Sequence, residues 1–538
     1  MSARLGVVVG GSLSEGLQTR LDPGVSVEDL AVGRYLVAAG RKQKFFCLLT
    51  DIELGSTSQD LGALTPSVDN PYVADVLAGA TAFGLLHVTP MLSISQEAGV
   101  ALAEGPRPVK TVPAHFSAIT EASESDIEQV FGVESPTNFY IGTPLDMEAK
   151  VCLDLGRLTE RSTGVFGKTG TGKTFLTRTL LAGLIRSNVA GSLVFDMHND
   201  YGWRPLAETE AGSVRGLKEL FRSKVLIYTL DPVSSVRRGA PKDGVIQIAY
   251  DEVTPEDIEI LREMLNINET QMETVRRLAR IHGDSNWLRL LVEAEPAELD
   301  ELADRHNLNS STLNALQRKL ETRMSRFDFM VSSENQVATK VTDLIDQLNR
   351  GSHVVLEFGS YQSYEAYLLV ANILTRRIHA EYVDRIEKAL GAGGEKPRPL
   401  VIVIEEAHKF LSSDVANLTT FGTIAREMRK YNVTLLVVDQ RPSGIDDEVM
   451  SQIGTRITCL LDDEKDVSAV LSGTSGASSL RSVLARLETK QQALIVGHAV
   501  PMPVVIRSRD YGPDEYEELS KFGAGVVEAT PLEDYFKV

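Results

Sequence analysis

The sequence predicts an α/β protein in two parts: a small strand-rich unit, then a parallel sheet covered by helices, with a helical stretch inserted into the second part. Three observations predict it. Up to about Thr120, short apolar runs recur between Gly and Pro residues; from Ala149 onward, apolar strands alternate with amphipathic helices; and from Thr254 to Phe327, helical periodicity continues without a strand signal. A length of 538 residues allows roughly two to four domains, and 43% hydrophobic with 24% charged residues excludes disorder as the dominant state.

The first unit, residues 1–120, carries the runs Leu5–Gly10, Tyr35–Ala39, Phe45–Leu49, Leu85–Thr89 and Val109–Val112, spaced as in a small β-barrel or sandwich. Val73 to Phe83 has helical spacing. A connection, 121–148, opens with the acidic stretch Glu121–Glu128, expected to be solvated, and passes through a strand around Phe139–Ile141. The sheet follows in two stretches, 149–253 and 328–510. Its expected strands are Ser162–Phe166, Ser192–Phe195, Lys224–Thr229, His353–Phe358, Leu400–Ile404, Thr434–Val438, Arg456–Leu461 and Gln492–Val496. Between the stretches, 254–327 is a helical insertion that includes Glu256–Leu265, Glu269–Ile281 and Ser311–Arg326, and 511–538 forms a tail.

No apolar run approaches the ~18 residues that cross a bilayer, and Met1–Gly11 lacks a basic start followed by an apolar segment, so a cytoplasmic chain without membrane contact is expected. Cys47, Cys152 and Cys459 stand far apart in apolar stretches and read as buried, reduced core residues. The 55 basic against 74 acidic side chains give a net charge of −19, which excludes a basic outer coat for nucleic acid. Any DNA contact must be local, as in a lined channel.

Gly167-Lys168-Thr169-Gly170-Thr171-Gly172-Lys173-Thr174, then Phe175, follows an expected strand and opens an expected helix, the context a P-loop requires. Its glycines let backbone N–H groups wrap a phosphate, Lys173 meets the β- and γ-phosphates, and Thr174 offers a hydroxyl to Mg²⁺. ATP and Mg²⁺ are the expected cofactors. Leu400–Ile404 leads into Glu405 and Glu406 at the carboxyl end of an apolar strand, where open α/β sheets bind ligands. Glu405 is assigned to the metal shell and Glu406 to the attacking water. Asp196, after Ser192–Phe195, is a second candidate for the metal shell, and Gln440, after Thr434–Val438, a candidate γ-phosphate sensor.

Phosphoryl transfer spreads charge that a guanidinium stabilises, so arginines near this edge matter. Arg426 and Arg429 lie on the run into the Gln440 strand. Arg161 precedes the P-loop strand, too far from its own phosphates, and suits a finger offered to a neighbouring subunit. Arg237, Arg238 and Lys242 form a basic loop, expected between two strands, that is a candidate for tracking DNA phosphates; a solvated hairpin tip is its other reading.

The ordered set GKTGTGKT, DMHNDYG, IVIEEAHKF, AREMRKYN and VDQRPSGID resembles the HerA family of the HerA/FtsK group of DNA-pumping ATPases, and the strand-rich start is similar to that family's HAS barrel. Many members carry Asp where this chain has Glu405, and Thr where it has Asp439. The resemblance implies a RecA-like P-loop ATPase core, a homo-hexameric ring with nucleotide between subunits, double-stranded DNA in the channel, and a partner nuclease of the NurA type in DNA end resection. Some bacterial relatives instead serve anti-phage systems with other effector enzymes, such as Sir2-like proteins. Two functions of other classes stay open at this level: a nucleotide-dependent ring scaffold that switches on an effector enzyme, and a P-loop protein acting on protein substrates.

Overall fold

The structure, a computed structural model, describes residues 4–56, 82–97, 104–204, 214–284, 286–332, 341–392, 395–417, 419–474 and 476–521. Its first unit holds β1 (Arg4–Ser12), β2 (Gly16–Leu21), β3 (Tyr35–Ala39), β4 (Gln43–Ser56), β5 (Ala82–Ser95), β6 (Arg107–Pro108) and β7 (Ala118–Glu121). The strands run in the order β2-β1-β7-β3-β4-β5-β6, and β2 also pairs with β5, Leu17 opposite Val88. Six strands therefore close into a barrel around Leu5, Val8, Leu36, Leu49, Leu86 and Ile119. Closure leaves no exposed ladder around the circumference. The run expected at Val109–Val112 is not a strand; the pairing falls two residues earlier, on Arg107–Pro108 against Leu92 and Ser93. Of the stretch with helical spacing, Phe83 lies in β5, and residues 73–81 lie outside the described residues.

The acidic stretch after the barrel is not a solvated connection but the start of a helix, Glu124–Phe131. Ser123 Oγ accepts the Asp126 N–H while the Asp126 carboxylate accepts the Ser123 N–H, a reciprocal cap. Ile127, Val130 and Phe131 fall on one face and are buried.

The second unit holds β8 (Asn138–Thr143), β9 (Val151–Asp154), β10 (Thr163–Phe166), β11 (Gly191–Asp196), β12 (Val225–Thr229), β13 (Gly244–Val245), β14 (Ile248–Ala249), β15 (Met330–Val331), β16 (His353–Glu357), β17 (Leu400–Glu405), β18 (Val433–Asp439), β19 (Thr455–Thr458), β20 (Gln492–Gly497) and β21 (Val504–Ser508). The main sheet runs β13-β12-β16-β11-β17-β18-β10-β19-β20-β21-β8-β9. Its strands are parallel from β13 to β19 and antiparallel beyond. The strand expected at Gln492–Val496 thus exists as β20 but runs opposite to its neighbour, since an apolar run carries no direction. Strands buried on both faces, such as β17 with Leu400 to Ile404 all buried, read as continuous apolar runs for that reason.

The helical insertion is five helices, Pro255–Ile260, Glu269–His282, Trp287–Glu293, Pro296–His306 and Ser310–Met324. The barrel is pinned to the sheet by Tyr35, whose hydroxyl donates to the Pro503 carbonyl (3.2 Å) and accepts the Val505 N–H (2.9 Å). The tail begins with a helix, Pro513–Lys521, that buries Tyr516 and Leu519. All three cysteines are buried and free. Among the described residues no helix is long and apolar enough to cross a membrane.

His353 opens β16 inside the sheet, its Nδ1 2.9 Å from Ser192 Oγ and its Nε2 without a partner among the described residues. Burial holds its pKa down at about 3. The unfolded chain takes up a proton near pH 6.5 and the folded chain does not, so stability present above 6.5 drains away as pH falls toward 3, by on the order of 1 kcal/mol per unit. Denaturant titrations between pH 7 and 4.5 should show His353→Gln losing less stability than the parent over that window; equal losses would contradict this.

Candidate nucleotide site

Parallel register brings the carboxyl ends of the central strands to one edge. Phe166 lies beside Asp439, Glu405 beside Val438, and Asp196 beside Glu357. Between β10 and the helix Lys173–Ser187, the P-loop turns through glycines that L side chains could not replace: Gly170 and Gly172 have φ of 81° and 96°. The loop is stitched to its neighbours by Gly167 N–H to the Asp439 carbonyl (3.2 Å) and Lys168 N–H to the Leu460 carbonyl (3.0 Å). Lys173 Nζ donates to the carbonyls of Gly167 (2.6 Å) and Lys168 (2.9 Å), and burial pulls its pKa down. Lys168 itself pairs with Asp462 at 3.0 Å, and Thr171 is buried with its hydroxyl on the Lys168 carbonyl.

A cavity of about 770 Å³ opens over this loop, lined by Thr169, Gly170, Gly172, Lys173, Thr174 and Phe175 from the P-loop side. Glu405, Glu406 and Gln440 face it from the neighbouring strand ends. Thr169 Oγ1 donates to Gln440 Oε1 (2.6 Å), and Gln440 Nε2 donates to both Glu406 oxygens (3.2 and 3.4 Å). One hydrogen-bonded line therefore runs from the P-loop through the expected sensor to the expected water activator. Glu406 takes a left-handed backbone, φ 50°, which turns the chain sharply out of β17.

Glu405 is held differently. Tyr201 Oη donates to its Oε1 at 2.8 Å, Tyr367 Oη receives its N–H at 3.2 Å, and Oε2 is buried without a partner among the described residues. Burial, with Asp196 nearby, raises its pKa to about 8. An acceptor oxygen with no protein donor, beside the Thr174 hydroxyl in one cavity, fits a hard cation. Among the described residues no cluster of three or more His, Cys, Asp or Glu could hold a metal alone. Mg²⁺ is bound by one or two side chains plus substrate phosphates.

Asp196 does not line the cavity. It is wholly buried, and its carboxylate accepts the N–H groups of Asp200 (2.8 Å), Tyr201 (2.9 Å) and Gly202 (3.4 Å). Burial raises its pKa to about 7. In place of the metal-shell role expected from its position, it shapes the turn that delivers Tyr201 to Glu405. The sequence contained Tyr201 inside DMHNDYG, but nothing in it tied that hydroxyl to a carboxylate 204 residues away. A second arrangement went unread: Asp439 accepts the His408 N–H (2.6 Å), lies 2.9 Å from its Nδ1, and raises that imidazole's pKa. His408 Nε2 in turn lies 3.9 Å from Glu406.

The arginines separate. Arg426 bonds Asn417 (2.8 Å) and lies 3.6 Å from Glu448. Arg429 belongs to the short turn Met428–Tyr431, and its side chain lies outside the described residues. Arg161 sits at the opposite end of β10, exposed and without an ion pair among the described residues, in a cavity of about 800 Å³ between barrel and sheet. The basic segment lies between two strands as expected, but Arg237 and Arg238 close a seven-residue helix, Pro232–Arg238, capped by Asp231, and only the residues from Gly239 to Lys242 form a loop. Arg238 lies 2.5 Å from the fully buried Glu357, which it neutralises, so it is no longer a candidate for DNA. Arg237 is exposed and Lys242 half-buried beyond the helix end.

Two family models match: the HAS barrel domain over residues 5–81, and the central domain of helicase HerA over 139–378. The chain is similar to the HerA family in both of its parts. DNA double-strand break repair helicase HerA of Sulfolobus acidocaldarius is 28% identical over 401 residues, 73% of each chain, and that of Sulfurisphaera tokodaii 25% over 403 residues, again 73% of each. Among solved structures, VirB4 of Thermoanaerobacter pseudethanolicus aligns with 71% of this chain and 99% of its own at 13% identity and a TM-score of 0.47. The resemblance read from the motifs is thereby borne out, and this chain is a P-loop ATPase with a HAS barrel.

Tyr201→Phe strips from the half-buried Glu405 its only side-chain donor among the described residues and should cost about 1–3 kcal/mol of stability. Urea denaturation measures it; a midpoint within error of the parent would show that Glu405 finds another donor.

Proposed function

We propose that the chain is an ATP-driven motor that travels along double-stranded DNA as a head-to-tail ring, a homo-hexamer by family resemblance. The observation that supports this best is the convergence of Lys173, Glu406 and Gln440 on one cavity while Arg161, the remaining charge-stabilising group, stands at the far end of the P-loop strand. The curated relatives are named for DNA double-strand break repair, which supports DNA as the track. A nuclease of the NurA type, or another effector enzyme, is the proposed partner.

In this reading the P-loop N–H groups and Lys173 hold the phosphate chain, and Glu406 takes the proton of the attacking water. Gln440, fixed between Thr169 and Glu406, orients that water and feels the γ-phosphate through the same hydrogen bonds. Glu405 and Thr174 would hold Mg²⁺, which neutralises charge on the phosphate oxygens. Arg161 cannot serve its own nucleotide: a four-residue strand separates it from the P-loop, about 13 Å at ~3.3 Å per residue. Cyclic head-to-tail packing would bring it to a neighbour's phosphates.

Lys173→Ala should abolish nucleotide binding, measured with a fluorescent ATP analogue, whereas Glu406→Gln should bind normally and turn over at least 100-fold more slowly. Rapid turnover by Glu406→Gln would move the water-activating role elsewhere. Arg161→Ala and Lys173→Ala subunits, each inactive, should regain ATPase activity when mixed and reassembled, because some interfaces then pair an intact finger with an intact P-loop. An active monomer at high dilution would contradict a finger acting between subunits. Duplex DNA should stimulate turnover; hydrolysis indifferent to DNA but raised by an effector protein would favour the scaffold reading.

A further inference from the structure

Where the helical insertion returns to the sheet, the end of its last helix and the loop after β16 enclose a cavity of about 210 Å³. Arg323 and Arg326 line it, and neither has a carboxylate partner among the described residues. Across from them lie Tyr361, Gln362, Ser363 and one acid, Glu365, and apolar side chains, Leu261, Leu265, Met324 and Leu369 among them, line the floor. In a chain of net charge −19, two guanidiniums against one carboxylate leave this hollow with a local positive excess.

The hollow is braced. Phe327 stacks on Phe329 with ring centres 5.2 Å apart, and both meet the edge of Tyr361 at 6.3 and 5.1 Å. The Asp328 N–H donates to Tyr361 Oη at 3.2 Å. The segment carrying the arginines is thus fixed against the loop rather than free to swing into solvent.

That loop is also tied to the nucleotide site. Asn199 Oδ1 accepts the Gly359 N–H (3.1 Å), and Asn199 Nδ2 donates to the Gly359 carbonyl (3.2 Å), a reciprocal pair on one residue's backbone. Ser360 is anchored beside it by its N–H and hydroxyl to Asp231. Asn199 belongs to the turn shaped by Asp196, whose His198 and Asp200 line the nucleotide cavity. The two hollows therefore share one hydrogen-bonded strut.

We propose that this pocket takes a phosphodiester group of the DNA backbone, and that Asn199 couples its occupancy to the nucleotide cavity. The inference rests on the DNA-motor reading and supplies a contact that Arg238, committed to Glu357, does not. Two guanidiniums with a tyrosine, a serine and an amide offer several donors to an anion of several acceptor oxygens. The volume is below the ~300 Å³ at which drug-sized ligand pockets begin, which suits a phosphate and part of its sugar rather than a whole nucleotide. Backbone contact without base contact is what a motor indifferent to sequence needs.

The test uses the full chain and a labelled duplex of mixed sequence, with anisotropy read over a NaCl series. Arg323→Ala/Arg326→Ala should weaken binding roughly tenfold and reduce the slope of log K against log salt by about 1, the signature of one lost phosphate contact. Arg323→Lys/Arg326→Lys should restore most of the slope, and it carries the test should the alanine variant unfold early in a thermal scan. Asn199→Ala should bind DNA as the parent does while losing most of the DNA stimulation of ATP turnover. Parental affinity and slope in the alanine variant would overturn the pocket, and parental stimulation in Asn199→Ala would overturn the coupling. Loss of ATP binding with DNA affinity retained would make the pocket's anion a nucleotide and end the proposal. If the parent itself binds no duplex, the motor reading fails first, a result distinct from all of these.

Discussion

A tyrosine hydroxyl donating to the Glu405 carboxyl group at the sheet's edge is the contact on which the site's geometry depends. Tyr201 reaches Glu405 only because Asp196 gathers three N–H groups of the intervening turn. That turn in turn presents His198 and Asp200 to the nucleotide cavity and Asn199 to the loop after β16. The sheet supplies the frame: parallel register sets β11, β17, β18 and β10 ending at one level, so residues far apart in sequence become neighbours. Buried polar groups at such an edge are costly alone and stabilising when each has a partner.

Much of this was legible. The P-loop was readable because its glycines, lysine and threonine occur at fixed spacing between a strand and a helix, and Glu405–Glu406 because five buried apolar residues precede them. Continuous apolar runs marked the central strands, since burial on both faces leaves no alternation. Direction was not in those runs, which is why β20 was expected among parallel strands. The helix after the barrel was hidden by composition: its acidic residues complete a cap, while Ile127, Val130 and Phe131 do the packing.

The site's misreadings share one cause. Asp196 and Arg238 were read from position and charge, and both turned out to spend that charge inside the protein, one on backbone N–H groups and the other on Glu357. Partnership depends on residues distant in sequence, which spacing cannot reveal. The same reasoning explains why Arg161 remains a functional candidate: it reaches the surface of a cavity without a carboxylate in contact among the described residues.

The two ends of β10 define the proposal: the proposed hydrolytic set lines a cavity at one, and Arg161 stands exposed at the other. Motion along duplex DNA is the central claim, and displacement of a third strand from a duplex tests it most directly, because a triplex-forming oligonucleotide leaves only when something travels through its site. The account predicts displacement that requires ATP, Mg²⁺ and a duplex flank for loading. ATP hydrolysis proceeding at full rate on that duplex with the third strand still bound would contradict it.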